Sequence, residues 1–262
     1  VLGVGHKSYW PQFDGLLTEM NKKQQVFTEM VKENGVEVFD FGMSDCAETA
    51  YELVPKIKAA NLDLLFIDMV TYATSSTIGA IFKEINVPMV LVALQPQEAM
   101  DYSNGSTYMQ LLNDDICAIP EFTCTAQKMG KPIPQIVIGM LYDDPQAAVE
   151  IADYCRIAKV LRSLRTARIG QMGHVLEAML DMHTDPTLLT STFGCHIVQT
   201  EPDDVAHFYR NADEKEVEQY KQNILEFFDT PDPKSDPITR KLTEEDLHTA
   251  AKVGVALNHF IQ

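Results

Sequence analysis

The sequence lacks any long hydrophobic run. Its longest predominantly apolar stretches, Leu62–Met69 and Val87–Leu94, have the length of buried strands. A helix that spans a bilayer needs about 20 consecutive apolar residues, and no signal peptide is visible at the start of the chain. We therefore expect a protein that does not cross a membrane, and we predict a cytoplasmic location.

Positive charge is scarce. The chain has 21 lysine and arginine residues against 38 aspartate and glutamate residues, which gives a formal net charge of -17. Such a charge repels polyanions, so we expect no binding to nucleic acid through phosphate neutralisation. Docking on an anionic membrane surface is disfavoured for the same reason.

Paired cysteines and familiar catalytic motifs are absent as well. The five cysteines form no C-x-x-C pair, and we interpret them as reduced thiols of a cytosolic protein. The chain contains no G-x-S-x-G, no H-E-x-x-H and no P-loop, so no nucleophile or phosphate-binding arrangement is identified.

What the sequence does contain is a regular alternation of strand and helix patterns, which demands a parallel sheet with helices on both faces. We predict an α/β protein of two consecutive doubly wound, flavodoxin- or Rossmann-like domains, the second incomplete. The first domain's predicted strands are Val1–Val4, Val36–Phe41, Leu62–Met69, Pro88–Leu94, Ile116–Ile119 and Pro134–Gly139, and its predicted helices are Gln12–Asn34, Asp45–Ala60, Ser75–Ile85 and Thr107–Asp115.

The predicted domain boundaries are residues 1–142 for the first domain and 168–262 for the second. A long connecting helix over 143–167 joins them, with Asp144 as its cap and Pro145 in its first turn. In the second domain we predict strands Arg168–Met172 and Cys195–Thr200, helices Asp203–Tyr209, Glu214–Phe228 and Leu247–Gln262, and a proline-rich surface loop over 230–237.

The two ends of the sequence suggest a longer parent protein. Val1 enters an apolar run with no methionine before it, and the helix Leu247–Gln262 stops without a capping glycine or a following strand. In an alternating α/β chain a helix normally returns to the sheet, so we expect the parent protein to continue.

Polar and aromatic side chains gather where the predicted strands end. In open parallel sheets, ligands bind at the carboxyl ends of the strands. The loops that follow the first, third and fourth strands combine aromatic rings, amides and hydroxyls, which is typical of carbohydrate sites because aromatics stack on sugar C–H groups and amides pair with hydroxyls. Loops that merely cap the next helix are the alternative interpretation.

The sequence contains two further candidate sites, one for a dinucleotide and one for a metal ion. The segment Gly3-x-Gly5-x-x-Ser8 invites a dinucleotide interpretation, but it lacks the third glycine, and Tyr9-Trp10-Pro11 puts bulk where a pyrophosphate should approach. A cluster of candidate metal ligands lies in the second domain, but the sequence Thr184-Asp185-Pro186 within it is a helix-start signal. We interpret that cluster as caps and solvated charge and assign no metal ligand there. Its members are His174, Glu177, Asp181, His183 and Asp185.

The stretch Tyr9-Trp10-Pro11-Gln12-Phe13 resembles members of the L-arabinose/L-fucose isomerase superfamily. The resemblance spans nearly the whole chain and continues at Thr71–Thr77, Leu94–Pro96, Asn104-Gly105, Asp143–Pro145, Arg168–His174 and Met179–Asp181. It implies a ketol isomerase that moves a proton between C1 and C2 of a sugar. In such enzymes a divalent metal, commonly Mn²⁺, polarises the two oxygens, and carboxylates act as acid and base.

The resemblance also implies which part of the enzyme this chain is. The family's metal ligands lie later in the polypeptide, so we expect an N-terminal part that is inactive alone, and we assign no catalytic residue. The family's N-terminal domain packs against a neighbouring subunit and helps to close its sugar site, which implies a homo-oligomer that binds an aldose or ketose. The residues expected to contact sugar are Tyr9, Trp10, Gln12, Thr71, Tyr72 and Gln95.

The identity of the sugar and two other functions stay open. The first-strand loop departs from the better-known arabinose isomerases, in which a Gln-His-Leu-Tyr-like stretch stands there, so the sugar is not identified. A non-catalytic sugar-binding or sensing module of two α/β lobes is the alternative, and an oligomerisation scaffold is a weaker one.

Overall fold

A computed structural model describes residues 1–229, 234–235 and 242–262. The chain divides into two compact units, Val1–Leu164 and Arg165–Gln262. The first contains a five-stranded parallel sheet and the second a two-stranded parallel sheet, so the predicted α/β, parallel-sheet fold class is confirmed. Within the described residues, no helix has both the length and the apolar character needed to cross a membrane. The predicted loop over 230–237 lies outside them, except for Lys234 and Ser235.

The order of the strands in the first unit fixes where a ligand can bind. The sheet runs in the order β2-β1-β3-β4-β5, and every neighbouring pair is parallel. The chain steps from β1 to β2 at one edge and then restarts at β3 on the other side of β1, so the order switches between β1 and β3. Ligands of open α/β sheets bind beside the carboxyl ends at such a switch point. The strands are β1 (Leu2–Val4), β2 (Met43–Ser44), β3 (Leu65–Met69), β4 (Met89–Gln95) and β5 (Gln135–Met140).

Helices cover both faces of this sheet. One face packs against α2, α3 and α5 through residues such as Ile67 and Leu91. The other packs against α1 and α6 through residues such as Phe66 and Val92. Because β3 and β4 are buried on both faces, they are apolar at nearly every position. The helices are α1 (Leu16–Lys32), α2 (Ala47–Ala59), α3 (Gly79–Glu84), α4 (Thr107–Leu112), α5 (Ile119–Lys128) and α6 (Pro145–Thr166).

The second predicted strand, Val36–Phe41, is wrong in its position. These residues run beside β1, where the Phe41 amide donates to Val1 O at 3.0 Å, but regular pairing occurs only at β2. Gly42 separates the two segments with φ of 69°. A glycine in the left-handed region breaks an extended run, so the ladder begins one residue later.

The predicted strand Ile116–Ile119 is also wrong, because these residues form a turn that leads into α5. Pro120 lies in the first turn of α5, where proline fits well because its missing N–H would have no partner there in any case. Ile119 and Phe122 are buried against the sheet from this helix. The apolar run is therefore a turn that leads into a core-facing helix.

In the second unit, β6 (Arg168–Met172) pairs in parallel with β7 (His196–Thr200). Asp185 caps α7, as the sequence predicts, and its Oδ1 accepts the Thr187 amide at 2.8 Å. Two further helices, α9 and α10, pack together around Val217 and Val255. The helices of this unit are α7 (Pro186–Phe193), α8 (Pro202–Arg210), α9 (Glu214–Phe227) and α10 (Glu244–Ile261).

A buried ammonium group links three segments of the first unit. Lys23 of α1 donates from Nζ to Asp115 Oδ1 at 2.6 Å, to Val70 O at 2.8 Å and to Leu112 O at 2.9 Å. These three bonds use all three N–H groups of the lysine. The ammonium therefore joins α1 to the end of β3 and to the segment that follows α4.

A second buried carboxyl group, that of Asp68 on β3, faces the same region. Among the described residues, neither Asp68 Oδ2 nor Asp115 Oδ2 has a hydrogen-bond partner. Burial raises the pKa of Asp68 to about 7 and that of Asp115 to about 8, although the Lys23 charge opposes both shifts. One ammonium shared by two carboxyl groups favours a state in which one carboxyl keeps its proton.

We predict that Asp68→Asn makes the protein more stable at alkaline pH. Because the folded state holds the Asp68 proton up to about pH 7, while the unfolded state releases it near pH 4, the wild-type free energy of unfolding falls across that window. The asparagine variant lacks this fall. The difference between its free energy of unfolding and that of wild type should therefore grow from about pH 4 and reach roughly 3–4 kcal/mol above pH 7.

Thermal and urea unfolding at pH 4, 6 and 8 measure this difference. The exposed Asp14 supplies the control variant, Asp14→Asn, whose offset from wild type should stay constant. An Asp68→Asn offset that is equally independent of pH would contradict the prediction.

Candidate functional site

Two loops at the switch point bring three aromatic rings together. His6 follows β1 and precedes a short 3-10 turn, Lys7–Tyr9. The His6 ring centroid lies 4.9 Å from that of Tyr9 and 6.3 Å from that of Tyr72, both in edge-to-face geometry. Tyr72 follows β3, so His6 is the contact between the two loops. Its imidazole, the two phenol rings and three side chains described next (Asp114, Cys117 and Glu121) form what we call the rim cluster.

Glu121 of α5 fixes the loop after β3. Its Oε1 accepts the Ser75 amide at 2.6 Å and its Oε2 accepts the Tyr72 hydroxyl at 3.4 Å. The hydrogen bond from the Ser75 backbone is the main reason why the pKa of Glu121 is lowered. An ionised carboxylate therefore stands beside the phenol of Tyr72.

The two phenols of the rim cluster keep their protons more tightly than usual. Burial, followed by the nearby charges of Tyr72 and Asp114, raises the pKa of Tyr9. Burial and the Glu121 carboxylate raise the pKa of Tyr72. Both phenols thus remain hydroxyl donors around neutral pH.

Asp114 and Cys117 complete the cluster. Burial raises the pKa of the Asp114 carboxyl, and partial desolvation together with Asp114 raises the pKa of the Cys117 thiol, although that residue is exposed. Cys117 is accordingly a protonated thiol rather than an activated nucleophile, since the thiolate is the reactive form.

Trp10 and Gln12, two of the residues expected to contact sugar, already form hydrogen bonds within the protein. Trp10 Nε1 donates to Asp45 Oδ2 at 2.7 Å, which holds the indole toward α2. Gln12 is exposed, and its amide donates to Ser8 O at 2.5 Å within its own turn.

Thr71 and Gln95 serve to anchor the segment around α4. Thr71 is fully buried and its Oγ1 donates to Leu111 O at 2.7 Å. Gln95 Nε2 donates to Asn113 O at 2.8 Å. Of the six expected residues, the structure thus brings Tyr9 and Tyr72 together at His6, and it uses Trp10, Thr71 and Gln95 to hold the surrounding segments.

The sequence interpretation gave no role to His6, Asp114, Cys117 or Glu121. His6 lies in a loop that had been identified at the end of β1, so its position was available. The sequence does not reveal Glu121, because the apolar residues before it predict a strand. The signal that could have revealed it is Pro120, which marks the start of a helix and places Glu121 in its first turn.

The described residues do not fit the divalent metal that the isomerase resemblance implies. Within residues 1–229, 234–235 and 242–262, no group of three or more His, Cys, Asp and Glu side chains is placed to hold a metal ion. The five candidate ligands of the second unit are all exposed: His174, Glu177, Asp181, His183 and Asp185.

A cavity of about 420 Å³ lies at the other end of the sheet, beside Val36 and Leu64. The ionisable residues in its wall include Arg162 and Asp63, which are already joined by a 2.8 Å hydrogen bond. Because it lies away from the switch point, we place the candidate site at the rim cluster.

The glycines of the Gly3-x-Gly5 segment are explained by neighbouring side chains. A Cβ on Gly5 would lie 2.8 Å from Trp10 Cζ2 and 2.9 Å from Met43 Sδ. A Cβ on Gly3 would collide with the amide of Gln24. The side chains thus fill the space that the glycines leave.

We predict that Gly5→Ala displaces the indole of Trp10, because the added methyl group would overlap its ring. Trp10 is the only tryptophan of the chain, so its fluorescence reports this site alone, and the emission should shift to longer wavelength as the indole leaves Asp45.

The matched control is Gly170→Ala, whose Cβ would meet nothing within 4 Å, and its emission should equal that of wild type. Far-UV circular dichroism checks that both variants fold. Unchanged Gly5→Ala emission in a folded protein would show that Trp10 does not pack on Gly5.

Comparisons with known proteins identify no family for this chain, so a functional proposal depends on the residues of the rim cluster. No protein-family model matches the chain, and no curated protein matches it in sequence. Membership of the L-arabinose/L-fucose isomerase superfamily therefore stays a prediction, and the geometry of the rim cluster is the starting point for a functional proposal.

Proposed function

We propose that this chain supplies the sugar-contacting rim of a metal-dependent aldose–ketose isomerase of the L-arabinose/L-fucose type. The observation that carries the proposal is the meeting of His6, Tyr9, Tyr72 and Glu121 at the switch point of the sheet. The residues come from the ends of two neighbouring strands and from α5, which is where a ligand of an open α/β sheet binds.

The chemistry of these groups suits a neutral polyhydroxylated ligand. Aromatic rings offer faces and edges for the C–H groups of a sugar. The protonated hydroxyls of Tyr9 and Tyr72 can donate to sugar oxygens. The lowered pKa of Glu121 keeps a carboxylate that can accept from a sugar hydroxyl, and such charge-assisted bonds are stronger than neutral ones.

The proposal gives this chain binding and orientation of the sugar. In an isomerase of this type, a divalent ion polarises the C1 and C2 oxygens. Because the described residues contain no three-ligand group, we assign the metal, the acid and the base to no residue here. We propose that the rim faces the sugar site of a neighbouring subunit in a homo-oligomer.

The alternative is a sugar-binding or sensing module without catalysis. The whole rim cluster is built within one compact unit, Val1–Leu164, and none of its contacts requires a metal. An affinity for sugar that is tight in this chain alone and insensitive to EDTA would favour the module.

The test is a titration of the chain with L-arabinose, L-fucose and their ketoses, followed by calorimetry or by NMR. We predict that Tyr72→Phe and Glu121→Gln each weaken binding by about two- to tenfold, the cost of one lost hydrogen bond. With Mn²⁺ added, the chain alone should not isomerise any of these sugars.

The control is Tyr51→Phe, which removes a hydroxyl from a 62% exposed tyrosine of α2 and should leave the affinity unchanged. Equal affinities for wild type, Tyr72→Phe and Glu121→Gln would rule out the rim cluster as the sugar site. Turnover by the chain alone would show that it holds a complete catalytic site.

A further inference from the structure

The outward face of α6 carries exposed aliphatic side chains. The inward face of this helix packs on the sheet through Ala147, Ile151 and Cys155. On the outward face, 58% of Val149 and 56% of Val160 are exposed. Large aliphatic side chains at such exposure in a regular stripe mark an interaction surface more often than isolated ones do.

The stripe follows helical spacing. Val149, Asp153, Arg156 and Val160 stand at i, i+4, i+7 and i+11, so they lie on one side of the helix. Ile157, which is 47% exposed, flanks them. Asp153 and Arg156 form an ion pair within the helix. These five residues are the α6 stripe.

Charge is segregated along α6. Its first half contains Glu150 and Asp153 and no basic residue, whereas its second half contains Arg156, Lys159, Arg162 and Arg165 and no acidic residue. The helix dipole favours this gradient, so the gradient alone implies no partner. It does mean that two copies of α6 laid antiparallel place the acidic half of each against the basic half of the other.

The α6 stripe is also symmetric about one point. The midpoint between Val149 and Val160 coincides with the midpoint between Asp153 and Arg156, at the Tyr154–Cys155 peptide. A two-fold axis at that point sets Val149 of each copy against Val160 of the other. It also sets Asp153 of each copy against Arg156 of the other. Both the apolar and the charged positions are therefore self-complementary in the same register.

We propose that the α6 stripe is a dimerisation surface and that its partner is a second copy of this chain, packed antiparallel about a two-fold axis at Tyr154–Cys155. Such an interface is isologous, since the same surface is used on both copies. A net charge of -17 disfavours contact between copies over most of the surface, whereas in this arrangement each Asp153 faces an Arg156 of the other copy. The proposal does not depend on the sugar-binding rim, which lies at the carboxyl ends of β1 and β3.

The size of the surface sets the strength of the dimer. A stable interface buries about 1,200–2,000 Å² in total, and one helix stripe of five residues provides less. We therefore expect a dimer that dissociates on dilution rather than an obligate one.

Charge reversal tests the register. Asp153→Arg alone would place like charges opposite each other twice in the dimer, and so would Arg156→Asp alone. We predict that each raises the dissociation constant of the dimer at least about tenfold. The double variant Asp153→Arg/Arg156→Asp restores opposite charges and should return the constant to within a few-fold of wild type. Analytical ultracentrifugation over a concentration series measures all four proteins.

A control on another helix separates weakening of the dimer from the loss of an ion pair within one helix. Glu19 and Lys22 of α1 form a similar exposed i, i+3 ion pair at 2.7 Å, and Glu19→Lys and Lys22→Glu should leave assembly unchanged. Thermal unfolding of every variant checks that α6 stays folded. A wild type that remains monomeric at all concentrations, or a double variant that fails to recover, would overturn the proposal.

Disulfide cross-linking tests the antiparallel arrangement. Val149 and Val160 lie about 16 Å apart along one helix, too far for a disulfide within it or between equivalent positions of an antiparallel pair. We predict that oxidised Val149→Cys/Val160→Cys gives covalent dimers and that each single variant gives only the background of the exposed Cys117 and Cys124. Single variants that cross-link as well as the double would indicate another arrangement and refute this one.

Discussion

The geometry of the first unit depends on the buried ammonium of Lys23. Its three hydrogen bonds end on Val70 O, Leu112 O and Asp115. Each of these acceptors lies within a few residues of a member of the rim cluster. Tyr72 follows Val70 on one segment, and Asp114 precedes Asp115 on the other. Ion pairs this deeply buried contribute little net stability, but leaving one partner alone costs several kcal/mol. The hydrogen bonds of Lys23 therefore fix the relative position of the two segments more than they stabilise the fold.

Much of the architecture could be predicted from local patterns. The predominantly apolar runs of β3 and β4 identify strands buried on both faces, and the Asp144-Pro145 cap identifies the start of α6. The errors arose where tertiary packing decides the outcome. The strand expected before Gly42 is displaced by that residue's backbone conformation, and the short apolar segment expected as another strand forms a turn that leads into α5.

The site could be predicted only in part, and the reason is similar. The loops after β1 and β3 can be located from the sequence, which gives Tyr9 and Tyr72. A polar side chain at a strand end, however, serves either a ligand or the nearest unpaired carbonyl group. Thr71 and Gln95 bond to Leu111 O and Asn113 O, and spacing alone does not distinguish these two uses. Glu121 reaches Ser75 across 46 residues of sequence, a contact that no local pattern encodes.

The close fit of Trp10 against Gly5 restricts what can approach the end of β1. In nucleotide-binding sheets, a glycine at this position leaves the backbone bare so that a phosphate group can rest on it. Here an aromatic ring already occupies that position and is tied to Asp45. A phosphorylated compound would have to expel the indole and then come close to the anionic Glu121. We therefore expect the β1 end of the first unit to accept uncharged molecules more readily than phosphate esters.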